Sequence, residues 1–109
     1  MTLGQEIFNK LSTIMATCNV SHAEFLIVLK TYRENNWYTN GELLREVVGE
    51  PQADYLKPFL PTITKEVAEE SLKKLLAGKY LRRRAKGGYS LTKRGLLLGG
   101  RIDGMWRKL

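Results

Sequence analysis

Three consecutive arginines, Arg82, Arg83 and Arg84, are followed at once by Lys86 and the pair Gly87-Gly88. A guanidinium is a planar fork of donors that is always charged and matches the oxygens of a phosphate. Glycines beside it let a backbone approach a large partner closely. From Lys79 to Arg101 the chain carries eight basic residues and no acidic one. Such a run suits a polyanion, because affinity for a phosphate backbone is mainly electrostatic. The plain alternative is a solvated edge strand charged against aggregation; three arginines beside a glycine turn exceed that need. Lys93 and Arg94 either extend the stripe or are ordinary solvated residues. Asn40, at the start of a helical pattern, is equally a phosphate contact at a helix terminus or a turn residue.

Other chemistry is poorly supplied. His22 is the single histidine and Cys18 the single cysteine, so one chain assembles neither a zinc constellation nor a Cys/His catalytic pair. His22 reads as a surface residue and Cys18 as a small apolar residue near a helix end, with redox sensing a minor role. Lys86-Gly87-Gly88 is too short for a phosphate-cradling loop. Trp37, Tyr38, Tyr55 and Trp106 suit core or dimer contacts better than a ligand pocket. No catalytic residue, metal or cofactor is expected; the chain reads as a non-enzyme whose small-molecule effector, if any, is not named by the sequence.

The 109 residues, 43% of them hydrophobic, fit one domain over residues 1–109. The net charge of +7 is unevenly placed. Residues 1–61 hold 5 Lys/Arg against 7 Asp/Glu, whereas residues 62–109 hold 13 against 4. No leader pattern and no run near the roughly 18 apolar residues of a membrane span is present. The expectation is a soluble, cytoplasmic protein without a membrane partner.

The elements that must position these residues follow from periodicity and caps. Leu3, Ile7, Leu11 and Ile14 predict a helix over 2–17. Ser21-His22-Ala23-Glu24 is a capping box opening a second helix, which Asn35-Asn36 ends. Trp37-Tyr38 suggests a very short strand, and Thr39-Asn40-Gly41-Glu42 a second capping box before a helix that stops at Gly49. Pro51 can begin one helical turn through Leu56. Thr62 or Thr64 caps a fourth helix with Ile63, Val67, Ser71, Leu72, Leu75 and Leu76 inward. Residues 80–91 form a hairpin about Gly87-Gly88, with Arg82 and Arg84 on one face and Arg83 on the other. Thr92 caps a last helix over 92–109.

This order resembles a winged helix-turn-helix domain, mainly α with a small β-hairpin wing. The likeness rests on Thr39-Asn40-Gly41-Glu42-Leu43-Leu44, Pro61-Thr62-Ile63-Thr64-Lys65 through Leu76, Lys79-Tyr80-Leu81-Arg82-Arg83, and Tyr89-Ser90-Leu91-Thr92-Lys93-Arg94-Gly95. It is similar to MarR-type and PadR-type transcriptional regulators, with the core over residues 21–91. The resemblance implies a sequence-specific regulator, a repressor, that binds double-stranded DNA. Its recognition helix starts at Thr62 and presents Thr62, Thr64, Lys65, Ala68, Glu69 and Lys73, while wing residues Arg82, Arg83, Arg84, Lys86 and Gly87 lie along the duplex. Glu66, Glu69 and Glu70 sit awkwardly beside phosphates unless they pair with Lys73 and Lys74. One departure is the connection from Gly49 to Pro61, which is 13 residues where helix-turn-helix pairs use three or four. Either the turn carries an insertion or the helices pack differently.

A two-fold homodimer would match a palindromic site, built on Leu3, Ile7, Leu11, Ile14, Ile102 and Trp106, with Gly95, Gly99, Gly100 and Gly104 allowing close helix approach. The alternatives are a winged-helix protein-interaction module that docks through the acidic fourth helix, and a plasmid or viral replication or partition factor.

Overall fold

The computed structural model describes residues 1–34 and 40–108. Among them the order is α1 (Leu3–Cys18), α2 (His22–Arg33), α3 (Asn40–Val47), α4 (Lys65–Ala77), β1 (Leu81–Arg83), β2 (Tyr89–Leu91) and α5 (Lys93–Lys108). The fold is mainly helical with one antiparallel two-stranded hairpin. The Trp37-Tyr38 strand and the Thr39 cap fall outside the described residues. No single described helix is long and apolar enough to cross a membrane.

Local chemistry sets most boundaries. Thr2 accepts from the Gln5 N–H at 3.2 Å and starts α1. Asn19, at φ 54°, ends it, with Val20 N–H donating to the Met15 carbonyl. The chain turns by 87° into α2. The Ser21 capping box is complete: its Oγ accepts from Glu24 N–H (3.2 Å), and Glu24 Oε1 accepts from Ser21 N–H (3.0 Å). α2 is the central helix, burying Phe25, Ile27, Val28 and Leu29 among α3, α4, α5 and β2. α1 packs on α5, and its Leu11 and Ile14 join the same core.

α4 is capped by Thr64, whose Oγ1 accepts from Val67 N–H at 3.2 Å. The expected inward face is rotated slightly. Ala68 is fully buried beside Ser71, Leu72 and Leu75, and Val67 is 45% exposed. Adjacent residues lie about 100° apart on a helix, and here the buried stripe takes Ala68 and leaves Val67 at its solvent edge. Ala68 is therefore not presented to a partner. α4 ends in a Schellman motif with Lys79 in the left-handed position (φ 64°); Lys79 N–H donates to Leu76 and Tyr80 N–H to Leu75.

The long connection is closed at its base. Gly49 N–H donates to the Ile63 carbonyl and Ile63 N–H to the Glu50 carbonyl, both at 2.8 Å. These two bonds bring the end of α3 beside the start of α4, and the two helices touch. The intervening residues leave as an excursion that docks on α1: Phe59 stacks on Phe8 with centroids 5.2 Å apart, and Tyr55 lies against Gly4. The single helical turn expected over Pro51–Leu56 is replaced by consecutive turns over 53–60, with Leu56 N–H bonded to Ala53 and Leu60 N–H to Leu56.

Two glycines of α5 serve intramolecular contact. A Cβ on Gly95 would overlap the Tyr80 carbonyl oxygen, and one on Gly99 would press on Tyr32 at 3.0 Å. The close approach expected at a dimer interface is thus used between α5 and its own domain.

Candidate nucleic-acid interface

The hairpin turn fixes the arginines by counting outward from its tip. Gly87 and Gly88 take φ of 93° and 81°, conformations that favour glycine. Leu81 then pairs with Leu91, Arg82 with Ser90, and Arg83 with Tyr89. Arg82 and Arg83 point to opposite faces, as alternation predicts, but β1 ends at Arg83, so Arg84 belongs to the turn and not to the Arg82 face. All three are exposed, as is Lys86.

Each of three guanidiniums is held by an uncharged hydroxyl. Arg82 Nε donates to Ser90 Oγ at 3.0 Å. Arg83 Nη1 donates to the Tyr89 hydroxyl at 3.1 Å, with its carbon 5.6 Å from that ring. Arg94 lies 4.3 Å over the Tyr80 ring and its Nη2 donates to the Tyr80 hydroxyl at 2.8 Å. Such partners orient a cation without cancelling its charge. By contrast Arg33 and Arg107 both pair with Asp103, at 2.8 and 2.9 Å. That hydrogen bond from Arg33, reinforced by Arg107, holds the Asp103 carboxyl below the usual aspartate range against partial desolvation. Sequence reasoning missed the Ser90, Tyr89 and Tyr80 partners. The signal for the first two was the cross-strand count itself.

The other expected contacts are dispersed. Lys93 is exposed at the start of α5, next to Arg94. Gly87 is exposed at the hairpin tip, where a Cβ would meet nothing within 4 Å. Thr62 is exposed, and Thr64 is spent largely on its cap. Lys65 is tied to Glu69 at 4.0 Å. Glu66, Glu70, Lys73 and Lys74 are exposed on α4, so the first half of its outer surface is acidic. Arg83 faces this helix and lines a groove with Glu69, Lys73 and Tyr89. Asn40 begins α3, and its side chain lies outside the described set.

Of the residues expected at a dimer interface, Leu11, Ile14 and Ile102 are buried in the chain's own core, at 5%, 0% and 0% exposure. They cannot also cover a second copy. Ile7 and Trp106 are half-buried, and Leu3 is exposed. The phase of a stripe tells which face is apolar, not which neighbour covers it.

His22 is not a plain surface residue. Its Nδ1 is buried without a hydrogen-bond partner, and burial pushes its pKa down, with the Glu50 charge opposing. Cys18 sits half-buried with Sγ 4.0 Å from Met105 Sδ, and burial raises its thiol, partly offset by Arg101. Among the described residues no group of three or more His, Cys, Asp or Glu is placed to hold a metal ion. No family model, no curated protein and no solved structure matches this chain.

Proposed function

We propose that this protein is a winged helix-turn-helix regulator that binds double-stranded DNA, led by its wing, and acts by occupying its site and not by turnover. The observation that carries the reading is the set of exposed guanidiniums, Arg82, Arg83 and Arg94, each oriented by a neutral hydroxyl. With Arg84, Lys86 and Lys93 they belong to the hairpin and the start of α5, in a stretch free of acidic residues from Lys79 to Ile102. Cations oriented by neutral partners lose little entropy on meeting phosphates, and a wing arginine suits the negative minor groove. The clasp between Gly49, Glu50 and Ile63 supports the helix-turn-helix reading, because it restores a short path between α3 and α4. The acidic first half of α4 argues that this helix contributes less than its first turn and that the wing carries most of the affinity. Repression follows where a bound site overlaps a promoter.

A second reading has its own support. Glu66 and Glu70 are exposed together, beside Glu69, and suit a basic protein partner. Selection of bound duplexes from a random pool separates the two. The DNA reading predicts an enriched motif and loss of retention for Arg82→Ala combined with Arg94→Ala. Retention unchanged by that pair moves the function to the interaction module.

A further inference from the structure

The excursion between α3 and α4 roofs a cavity of about 260 Å³ whose other walls come from α1, α2 and α5. Three aromatic side chains line it, Phe25, Tyr55 and Trp106, together with Glu50, His22 and Arg33. The charges there are unequal. Arg33 spends its Nε and Nη2 on Asp103, a carboxylate it shares with Arg107. His22 is held toward its neutral form by burial, and its Nδ1 has no partner. Glu50 Oε2 accepts only the Gln52 N–H, at 3.2 Å, and its other oxygen makes no hydrogen bond among the described residues. Apart from that Arg33–Asp103–Arg107 cluster, whose donors and acceptors are engaged with one another, the edge of this aromatic and aliphatic chamber offers one carboxylate and one neutral imidazole.

That combination selects an ammonium group carried on an apolar body. Ring faces attract cations, and a partly desolvated carboxylate binds them more strongly than it does in water. The chain itself uses one of these rings so: Lys10 Nζ lies 4.4 Å over Trp106. An anion would meet Glu50, and a purely apolar molecule would leave His22 Nδ1 unpaired.

We propose that this cavity is a binding site for small organic amines with an aromatic or branched aliphatic body. Its roof residues Pro51, Tyr55 and Leu56 belong to the segment clasped at Gly49, Glu50 and Ile63, directly between α3 and the Thr64 cap of α4. An amine that holds the roof therefore holds the α3–α4 geometry, and through it the pose of α4 and wing. This regulatory half rests on the DNA-binding reading; the site itself does not.

The test uses phenethylamine as probe, with benzoate and benzyl alcohol as controls of opposite and zero charge, titrated calorimetrically into the full chain. Phenethylamine is expected to bind saturably, benzyl alcohol more weakly and benzoate not at all. Glu50→Gln is expected to weaken the amine by about ten- to a hundredfold, the worth of a hydrogen bond to a charged group. Leu56→Trp, which fills the chamber and keeps every charge, is expected to abolish binding and decides the matter should Glu50→Gln not fold. Benzoate binding as well as the amine, or unaltered amine affinity in both variants, overturns the site. Duplex affinity is then compared with and without saturating phenethylamine. Duplex binding that ignores a bound amine overturns the coupling. Amine binding by a chain with no affinity for any duplex overturns the DNA reading and leaves the site standing.

Discussion

Removing the hydroxyls that orient Arg82, Arg83 and Arg94, while keeping every positive charge, separates orientation from electrostatics. Ser90→Ala, Tyr89→Phe and Tyr80→Phe each delete one acceptor, at 3.0, 3.1 and 2.8 Å from its guanidinium. Ser90 and Tyr89 are buried, so alanine and phenylalanine fill their places almost isosterically. An arginine released this way must be ordered again when it meets a phosphate, at about 1 kcal/mol per side chain, or about fivefold in affinity. The three together should cost about a hundredfold, with some coupling between the adjacent Ser90 and Tyr89 sites. Fluorescence anisotropy with a labelled duplex, repeated across salt concentrations, measures both quantities needed. The dissociation constant should rise while the slope of its logarithm against log salt stays constant, because the number of phosphates neutralised is unchanged. A triple variant that binds as tightly as the parent refutes the reasoning, and so does one whose salt slope shrinks with its affinity.

Further outcomes concern stability. Gly95→Ala drives a methyl into the Tyr80 carbonyl and should destabilise the fold by about 2 kcal/mol, overpacking outweighing the gain in helix propensity. Gly104→Ala meets open space in the same helix and should stabilise by about 1 kcal/mol; urea unfolding midpoints moving in opposite directions check the pair. Lys79→Gly relieves a left-handed residue and should stabilise by up to about 1 kcal/mol, the relief of 1–2 kcal/mol being partly offset by unfolded-chain entropy; a lowered midpoint would contradict the cap assigned there. Asp103 has a depressed carboxyl pKa, so its stabilisation is complete above the unfolded aspartate value, about 3.9, and is lost as pH falls through the folded one. The gap in stability between wild type and Asp103→Asn should therefore narrow from about pH 6 to about pH 3, and a gap that widens on acidification would sink the Arg33–Asp103–Arg107 assignment.

What the sequence made legible is local. Ser21 and Glu24 lie three apart and form the box that spacing predicts. Gly87-Gly88 fixed the turn, and with it the register that sets Arg82 across from Ser90. What stayed hidden depends on contacts distant in the chain. No pattern near Gly49 announces that its N–H will meet Ile63, so the 13-residue connection showed only its length and not its closed base. Leu11, Ile14 and Ile102 looked free for a second copy because periodicity does not reveal that α1 and α5 pack on each other. Val67 and Ala68 exchanged places because an apolar type at helical spacing fixes the phase only to within one residue. Lys79 hid a cap by standing where glycine is usual.

The most direct measurement is the salt dependence of duplex binding by the unmodified protein. Six cations, Arg82, Arg83, Arg84, Lys86, Lys93 and Arg94, engaged with phosphates predict a slope of log affinity on log salt of about −5, hence about a thousandfold loss between roughly 50 and 200 mM. A slope near zero, or no duplex affinity at the lowest salt, would contradict a wing built to hold DNA.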